Sequence, residues 1–232
     1  MWLRGGDGLA DRGGGAGGGE HSAATAAWGH AETVPGLAAL NTYGGGLTGV
    51  SAISCSAPGD CTAGGEYSTG SSAENGWIQQ AFLVTESNGV WGKAAEVPGT
   101  GTLNKGDWAK VTSVSCASPG NCAAGGYYAS STSFESGPVT VGFVASQVNG
   151  TWGQGEAVPG STSLGANGVV NAVSCYSAGH CAAGGSTDSG AFVASEASGT
   201  WKTAITVPGT DTLSPEFGDA TVAALSCAPA GS

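Results

Sequence analysis

The residues in this chain best suited to chemistry are cysteines, which recur as pairs at one fixed spacing. The pairs, each a Cys-x5-Cys, are Cys55 and Cys61, Cys116 and Cys122, and Cys175 and Cys181. Zinc sites more often use Cys-x2-4-Cys spacing with two pairs on one ion, whereas a Pro-Gly or Ala-Gly turn between the cysteines suits two bridged antiparallel strands. The sequence therefore predicts three local disulfides and an oxidising compartment, with metal binding and redox chemistry as the alternatives.

Other groups with catalytic potential are dispersed along the chain. Glu86, Gln147 and Glu196 occupy one repeated position, and this repetition favours a structural role because a catalytic pair is normally unique within a fold. The histidines show no His-x3-His spacing, and no calcium-loop pattern occurs. We therefore assign no catalytic residue, metal or cofactor from the sequence, and paired glycosidase-type acids stay open only through contacts between distant residues.

The charge composition excludes two classes of partner. The chain has 232 residues and a net charge of −11, with 6 Lys and Arg against 17 Asp and Glu. Nucleic acids and anionic membrane surfaces require a basic footprint, so neither is an expected partner. No run of 18 apolar residues occurs, which predicts no membrane insertion. Residues 1–27 lack the pattern of a signal peptide and predict a glycine-rich flexible extension.

Four β-like segments recur around each cysteine pair and must position any site. The first ends at the first cysteine, as in Val50–Cys55, and its β-branched apolar residues are typical of a buried strand. The second contains Gly64 and Gly65 or their equivalents, which indicates close approach by a neighbouring sheet. The third leads through Asn88-Gly89, the strongest short hairpin signal, into a fourth segment that runs from a Trp to Val-Pro.

This pattern predicts an all-β fold of the β-propeller type, built from four-stranded antiparallel blades. Whole blades are expected at residues 50–97, 111–158 and 169–207, within a repeat domain at 28–232. Partial strands at 28–35 and 220–227 make the propeller incomplete or fragmentary. The fourth copy reaches Cys227 and stops at Ser232 before a partner cysteine, so we expect the remaining blades to come from a longer parent chain or a second copy.

In these motifs the chain resembles the repeats of secreted propeller-type proteins of actinobacteria. The blade reads Ser-Cys-x5-Cys-x-Ala-Gly-Gly, then Asn-Gly-x-Trp and Val-Pro-Gly, and the resemblance covers about residues 28–232. It implies secretion or attachment to the cell surface. A more distant similarity is to Asp-box propellers such as sialidases, although Glu86–Trp91 has no Asp and places its Gly two rather than three residues before the Trp.

Sialidase activity, which the distant similarity would imply, is not expected. Sialidases hold the substrate carboxylate with an arginine cluster, because Arg binds carboxylates in bidentate geometry. The only arginines in this chain are Arg4 and Arg12, both in the glycine-rich extension.

The candidate binding residues lie in connections that should share one face of the propeller, namely the loops between second and third strands and the loops between blades. They are Trp77, Trp108, Tyr127, Tyr128 and Asp107. Aromatic platforms beside a carboxylate suit sugar or peptide binding. The alternative for each ring is that it caps the end of a blade core.

We therefore predict an extracellular, non-catalytic binding or scaffolding domain that recognises a glycan or peptide on its loop-rich face. Two alternatives stay open. One is a carbohydrate-active hydrolase or lyase whose catalytic carboxylates lie partly outside this chain. The other is a structural segment of a long cell-surface repeat array.

Overall fold

The structure is a computed structural model that describes residues 2–5, 28–44, 46–72, 76–131, 137–210 and 220–228. It divides into two compact units, Met1–Val34 and Pro35–Ser232. In the first unit, strand β1 (Trp2–Gly5) pairs antiparallel with β2 (Trp28–Glu32). β2 covers residues 28–32 of the segment predicted as a partial strand at 28–35, and its pairing partner is β1. Most of the flexible extension expected at 1–27 lies outside the described residues.

The second unit contains the three predicted blades as three antiparallel sheets. The first sheet has β3 (Gly49–Ala57), β4 (Asp60–Ser72), β5 (Gly76–Ser87), β6 (Val90–Trp91) and β7 (Ala95–Glu96). The second has β8 (Ala109–Ser118), β9 (Asn121–Ser131), β10 (Val139–Val148), β11 (Thr151–Trp152) and β12 (Glu156–Ala157). The third has β13 (Val169–Ser177), β14 (His180–Thr187), β15 (Gly190–Ala197), β16 (Thr200–Trp201) and β17 (Ile205–Thr206).

Each sheet follows the predicted four-strand order, with one departure in the last strand. The outer strand is split into two short pieces, so that β6 and β7 both pair with β5, and the other sheets repeat this division. Between the pieces the chain turns away from the ladder, although Gly92 N–H still donates to Thr85 O at 2.9 Å. The fold is therefore an all-β, propeller-type repeat of four-stranded blades with an interrupted outer strand.

The three predicted disulfides are present, and each joins residues that face each other across the first hairpin of a sheet. The bridges are Cys55–Cys61, Cys116–Cys122 and Cys175–Cys181. Cys227 is free. The second predicted hairpin is also confirmed, because Asn88 and Gly89 adopt φ values of 50° and 78°. Positive φ at both central residues is the requirement of a type I′ turn.

The paired glycines allow neighbouring sheets to approach closely, as the sequence predicts. A Cβ on Gly64, Gly125 or Gly184 would lie 2.5–2.7 Å from a valine methyl of the following element. The methyls belong to Val111, Val170 and Val222. These contacts repeat in the same register three times, so each sheet docks on the next through one small-residue position.

Hydroxyl groups also fix the register between sheets. The backbone N–H of Cys116 donates to Ser54 Oγ at 3.0 Å, and Cys175 N–H donates to Ser115 Oγ at 2.9 Å. Cys227 N–H makes the same bond to Ser174 Oγ at 2.9 Å. Residues 220–228 have no assigned strand, yet they pack against the third sheet in the position that first strands occupy elsewhere.

A second set of backbone bonds links the outer strand of each sheet to the proline that precedes that sheet. Ala94 N–H donates to Pro35 O at 2.8 Å, Gly155 N–H to Pro98 O at 2.7 Å, and Ala204 N–H to Pro159 O at 2.7 Å. Short helical turns follow each of these prolines. They are α1 (Leu37–Leu40), α2 (Thr100–Leu103) and a 3-10 turn at Ser161–Ser163.

The repeated aromatic residues form the scaffold, with the core lying within and between the sheets. Phe82, Phe143 and Phe192 are fully buried, and Trp201 is buried beside Phe192 and Val158 in one cluster. The repeated polar position is buried too. Glu196 Oε1 accepts a hydrogen bond from Ser146 Oγ at 2.6 Å, and Ser146 Oγ in turn accepts one from Trp201 Nε1 at 3.1 Å. This polar position therefore links the second sheet to the third.

Candidate functional site

The connections at one end of the second unit form its loop-rich face. At the opposite end, the two hairpin turns of each sheet meet, since Gly89 N–H donates to Gly59 O at 2.9 Å. On the loop-rich face, Gln79 N–H donates to Asp107 O at 2.8 Å, and Gly106 N–H donates to Ala129 O at 2.9 Å. The linker between the first two sheets is thus bonded to both of them.

A cleft of about 270 Å³ opens on this face between the first and second sheets. Its lining residues are Leu47, Trp77, Gln79, Gly106, Asp107, Trp108 and Pro138. The cleft thus combines three of the five candidate residues. Asp107 and Trp108 lie in the linker between the sheets, whereas Trp77 lies on strand β5 and not in a connection as the sequence predicted. Trp77 is 46% exposed and Trp108 is 41% exposed, so both rings offer surface to a ligand.

The two remaining candidates, Tyr127 and Tyr128, lie on strand β9 and not in a connection as predicted, and neither lines the cleft. Tyr127 packs edge-on against Trp108 with ring centroids 6.0 Å apart. Tyr128 is buried and belongs to the core cluster of the first two sheets. Burial, and then the negative charge of Glu66, raises the pKa of Tyr127 to about 12. The structure therefore places Tyr127 in support of Trp108 and Tyr128 within the core.

Asn104, which sequence reasoning missed, fixes the relative position of the cleft residues. It follows α2 and is 4% exposed. Its Nδ2 donates to Gln79 O at 2.7 Å, and its Oδ1 accepts from Trp108 N–H at 2.8 Å. One buried amide therefore ties the first sheet to the Trp108 backbone. A signal was available, because Leu-Asn follows Val-Pro-Gly by the same number of residues at Asn41 and Asn104.

Gln79 and Asp107 supply the polar groups of the cleft. Gln79 is 3% exposed, and its Oε1 is buried without a hydrogen-bond partner among the described residues. A buried acceptor left unpaired costs about 1–3 kcal/mol. Asp107 has a φ of 62°, in the left-handed region that non-glycine residues adopt at a cost and that is enriched at functional sites.

One ion pair lies near the junction of the same two sheets. Lys110 Nζ is 3.1 Å from Glu66 Oε1, and the Glu66 side chain is 11% exposed. Lys110 sits on β8, and its cross-strand partner is Tyr127. Glu66 thereby neutralises the charge of Lys110, which is the cationic residue closest along the chain to Trp108 and Tyr127.

A second cleft of about 220 Å³ occupies the equivalent junction between the second and third sheets. Its lining residues are Ser130, Val139, Thr140, Val141, Ser161, Thr162, Gly165, Ala166 and Gly168. The described lining residues carry hydroxyls and small side chains but no aromatic ring, so the described parts of the two junctions differ in chemistry. The aromatic platform is specific to the first junction among the described residues.

The described residues show neither a metal-binding cluster nor a membrane-spanning helix. Within the described part of the chain, no group of three or more His, Cys, Asp or Glu side chains could hold a metal ion. No described helix is long and apolar enough to cross a bilayer.

Searches against protein-family models and curated proteins gave no match.

Proposed function

We propose that this protein is a non-catalytic binding module that acts outside the cell and binds a glycan in the cleft between its first two sheets. The observation that carries the proposal is the pair of half-exposed indoles, Trp77 and Trp108, beside Asp107 in one cleft. The sugar ring has apolar C–H faces that pack on indoles and hydroxyls that need polar partners, and this cleft offers both.

The fixed backbone around the cleft supports binding by a preformed site. Asn104 joins Gln79 to Trp108, and Gln79 N–H donates to Asp107 O. Holding these groups in place before the ligand arrives reduces the ordering cost of association. The ligand therefore meets rings and acceptors that are already positioned.

The content of the lining favours binding over hydrolysis. Asp107 is the only carboxylate among the described lining residues, whereas glycoside hydrolysis commonly uses two carboxyl groups on opposite sides of the scissile bond. A single carboxylate suits orientation of a sugar hydroxyl or amine. It does not supply the general acid and base of a hydrolase.

Export is part of the same proposal. The three disulfides indicate an oxidising environment, because such bridges are rare where glutathione and thioredoxin keep thiols reduced. Secretion or display at the cell surface provides that environment and brings the module into contact with polysaccharides.

A glycan array followed by titration calorimetry tests the proposal. Trp77→Ala and Trp108→Ala should each weaken binding of the best array ligand by about tenfold or more, as truncation of a central aromatic contact commonly does. Val90→Ala serves as the control, because Val90 is 70% exposed in the turn region at the opposite end. Equal binding by all three variants, or ligand turnover that one carboxylate substitution abolishes, would contradict the proposal.

A further inference from the structure

We propose that the glycan bound in this cleft carries free, protonated amino groups, as β-linked oligomers of glucosamine do. The inference rests on the proposed function and specifies its ligand. In it, the Asp107 carboxylate pairs with a ligand ammonium group while the Trp77 and Trp108 rings pack against the sugars.

The charge of the cleft favours a cationic ligand over an anionic one. Among the described lining residues, Asp107 is the only charged one, and neither Lys nor Arg is present. The nearby Lys110 is paired with Glu66 at 3.1 Å, and Lys105 is an exposed linker residue outside the lining. The whole chain carries a net charge of −11, so a uronic or sialic acid would meet unfavourable charge both locally and at long range.

The hydrogen-bonding groups point to the same ligand class. No hydrogen bond or ion pair to the Asp107 carboxylate occurs among the described residues. The carboxylate is an acceptor only. An ammonium group is the complementary partner because it has three donors and no acceptor, and a hydrogen bond between charged groups is stronger than a neutral one.

The aromatic groups add to the attraction for a cation. A cation within about 6 Å of an indole centroid is attracted by the negative face of the ring, and Trp gives the strongest attraction of the aromatic side chains. Trp77 and Trp108 are both half-exposed in the cleft that contains Asp107. An acetylated amine keeps the sugar ring but loses the positive charge, so the two forms of one sugar separate stacking from charge pairing.

The test compares three oligosaccharides of equal length by calorimetry at mildly acidic pH and moderate salt: glucosamine, N-acetylglucosamine and galacturonate oligomers. Glucosamine oligomers should bind about tenfold or more tightly than the acetylated form, and galacturonate oligomers should bind least. Asp107→Asn should weaken glucosamine binding by about tenfold and leave binding of the acetylated form within about twofold.

Asp188→Asn is the matched control, because Asp188 is exposed on the loop-rich face of the third sheet and its replacement makes the same change in net charge. It should leave all three affinities unchanged. Equal losses from the two Asp variants would overturn the inference, since the effect would then be one of net charge. Oligolysine that binds through Asp107 more tightly than glucosamine oligomers would overturn it in favour of a basic peptide.

The outcomes also separate this inference from the proposed function. If acetylated oligomers bind as tightly as free amines and still depend on Trp77 and Trp108, the charge inference is wrong and the glycan-binding function stands. If none of the three oligosaccharides binds, the inference is wrong and the glycan array decides the function independently.

Discussion

The first glycine of each Gly-Gly pair shows how a single missing side chain determines the packing of whole sheets. At Gly125, the space that a Cβ would occupy is filled by Val170 and Val173 of the third sheet. The sequence predicted close approach at these glycines but did not identify the partner, because residues 125 and 170 are far apart along the chain. Only the register between sheets identifies it.

Gly125→Ala should lower the free energy of unfolding by about 1–3 kcal/mol, because the added methyl would overlap two valines in a packed interface. Urea unfolding monitored by tryptophan fluorescence measures the change. Gly49→Ala is the control, since a Cβ at Gly49 meets no atom within 4 Å and its φ is not left-handed. If both variants lost the same free energy of unfolding, the loss would come from replacing glycine in the backbone and not from overlap with Val170.

Tyr127 gives a second test at the level of one residue. Burial and the Glu66 charge raise its pKa to about 12, against about 10 for an unfolded tyrosine. The folded state therefore retains the phenolic proton more tightly, and the resulting stability is present below pH about 10 and lost as the pH rises through about 12. Deprotonation would place a phenolate near the negative charge of Glu66.

Alkaline titration of phenolate absorbance, taken as the difference between wild type and Tyr127→Phe, should give a midpoint near pH 12. Glu66→Gln should lower this midpoint because it removes the neighbouring negative charge. Glu156→Gln, an exposed carboxylate on the outer strand β12, should leave it unchanged. A midpoint that does not respond to Glu66 would contradict the assigned electrostatic cause.

At the level of the element, the hairpin is the unit that the sequence specifies best. Turn chemistry at Asn88-Gly89 and the Cys-x5-Cys spacing act over short distances, so both hairpins of each sheet and all three bridges could be predicted. The split outer strand and the helical turns after each Pro-Gly were missed, because no local pattern marks them. The cleft was predicted in part, since Trp77, Asp107 and Trp108 were candidates while Gln79 and Asn104 were not.

Each disulfide stabilises a hairpin that already has a favourable turn. Closure of so short a loop is worth about 2 kcal/mol by chain-entropy reasoning. The double variant Cys116→Ser/Cys122→Ser should therefore unfold at a lower urea concentration, with a loss of about 2 kcal/mol, and retain its far-ultraviolet circular dichroism. Cys227→Ser is the control, because Cys227 forms no bridge. Complete loss of structure in the double variant would show that the bridge is required for folding itself.

On the scale of the whole molecule, equivalent residues differ in exposure according to their place in the series of sheets. Val114 and Val173 are 8% and 7% exposed, whereas Ile53, which takes the same position in the first sheet, is 51% exposed. The sequence could not show this difference, because all three segments have the same pattern of β-branched residues. Burial at this position depends on a preceding sheet.

Truncation to alanine should reproduce this difference in unfolding energies. Val114→Ala and Val173→Ala should each cost about 1.5–3 kcal/mol, since each removes buried methyl groups from an interface between sheets. Ile53→Ala should change stability by less than about 0.5 kcal/mol, as exposed substitutions commonly do. Thermal unfolding of the three variants provides the comparison, and an equal loss at Ile53 would show that this surface is covered in solution.

The serine-to-cysteine bonds between sheets have a consequence for how such repeats diversify. The bonded residues are separated by 62, 60 and 53 positions along the chain, yet the three distances agree within 0.1 Å. Insertions and deletions in the intervening loops therefore leave the docking of one repeat on the next intact. Evolutionary substitution or deliberate loop grafting can therefore change the recognition loops of one repeat while the neighbouring repeats keep theirs.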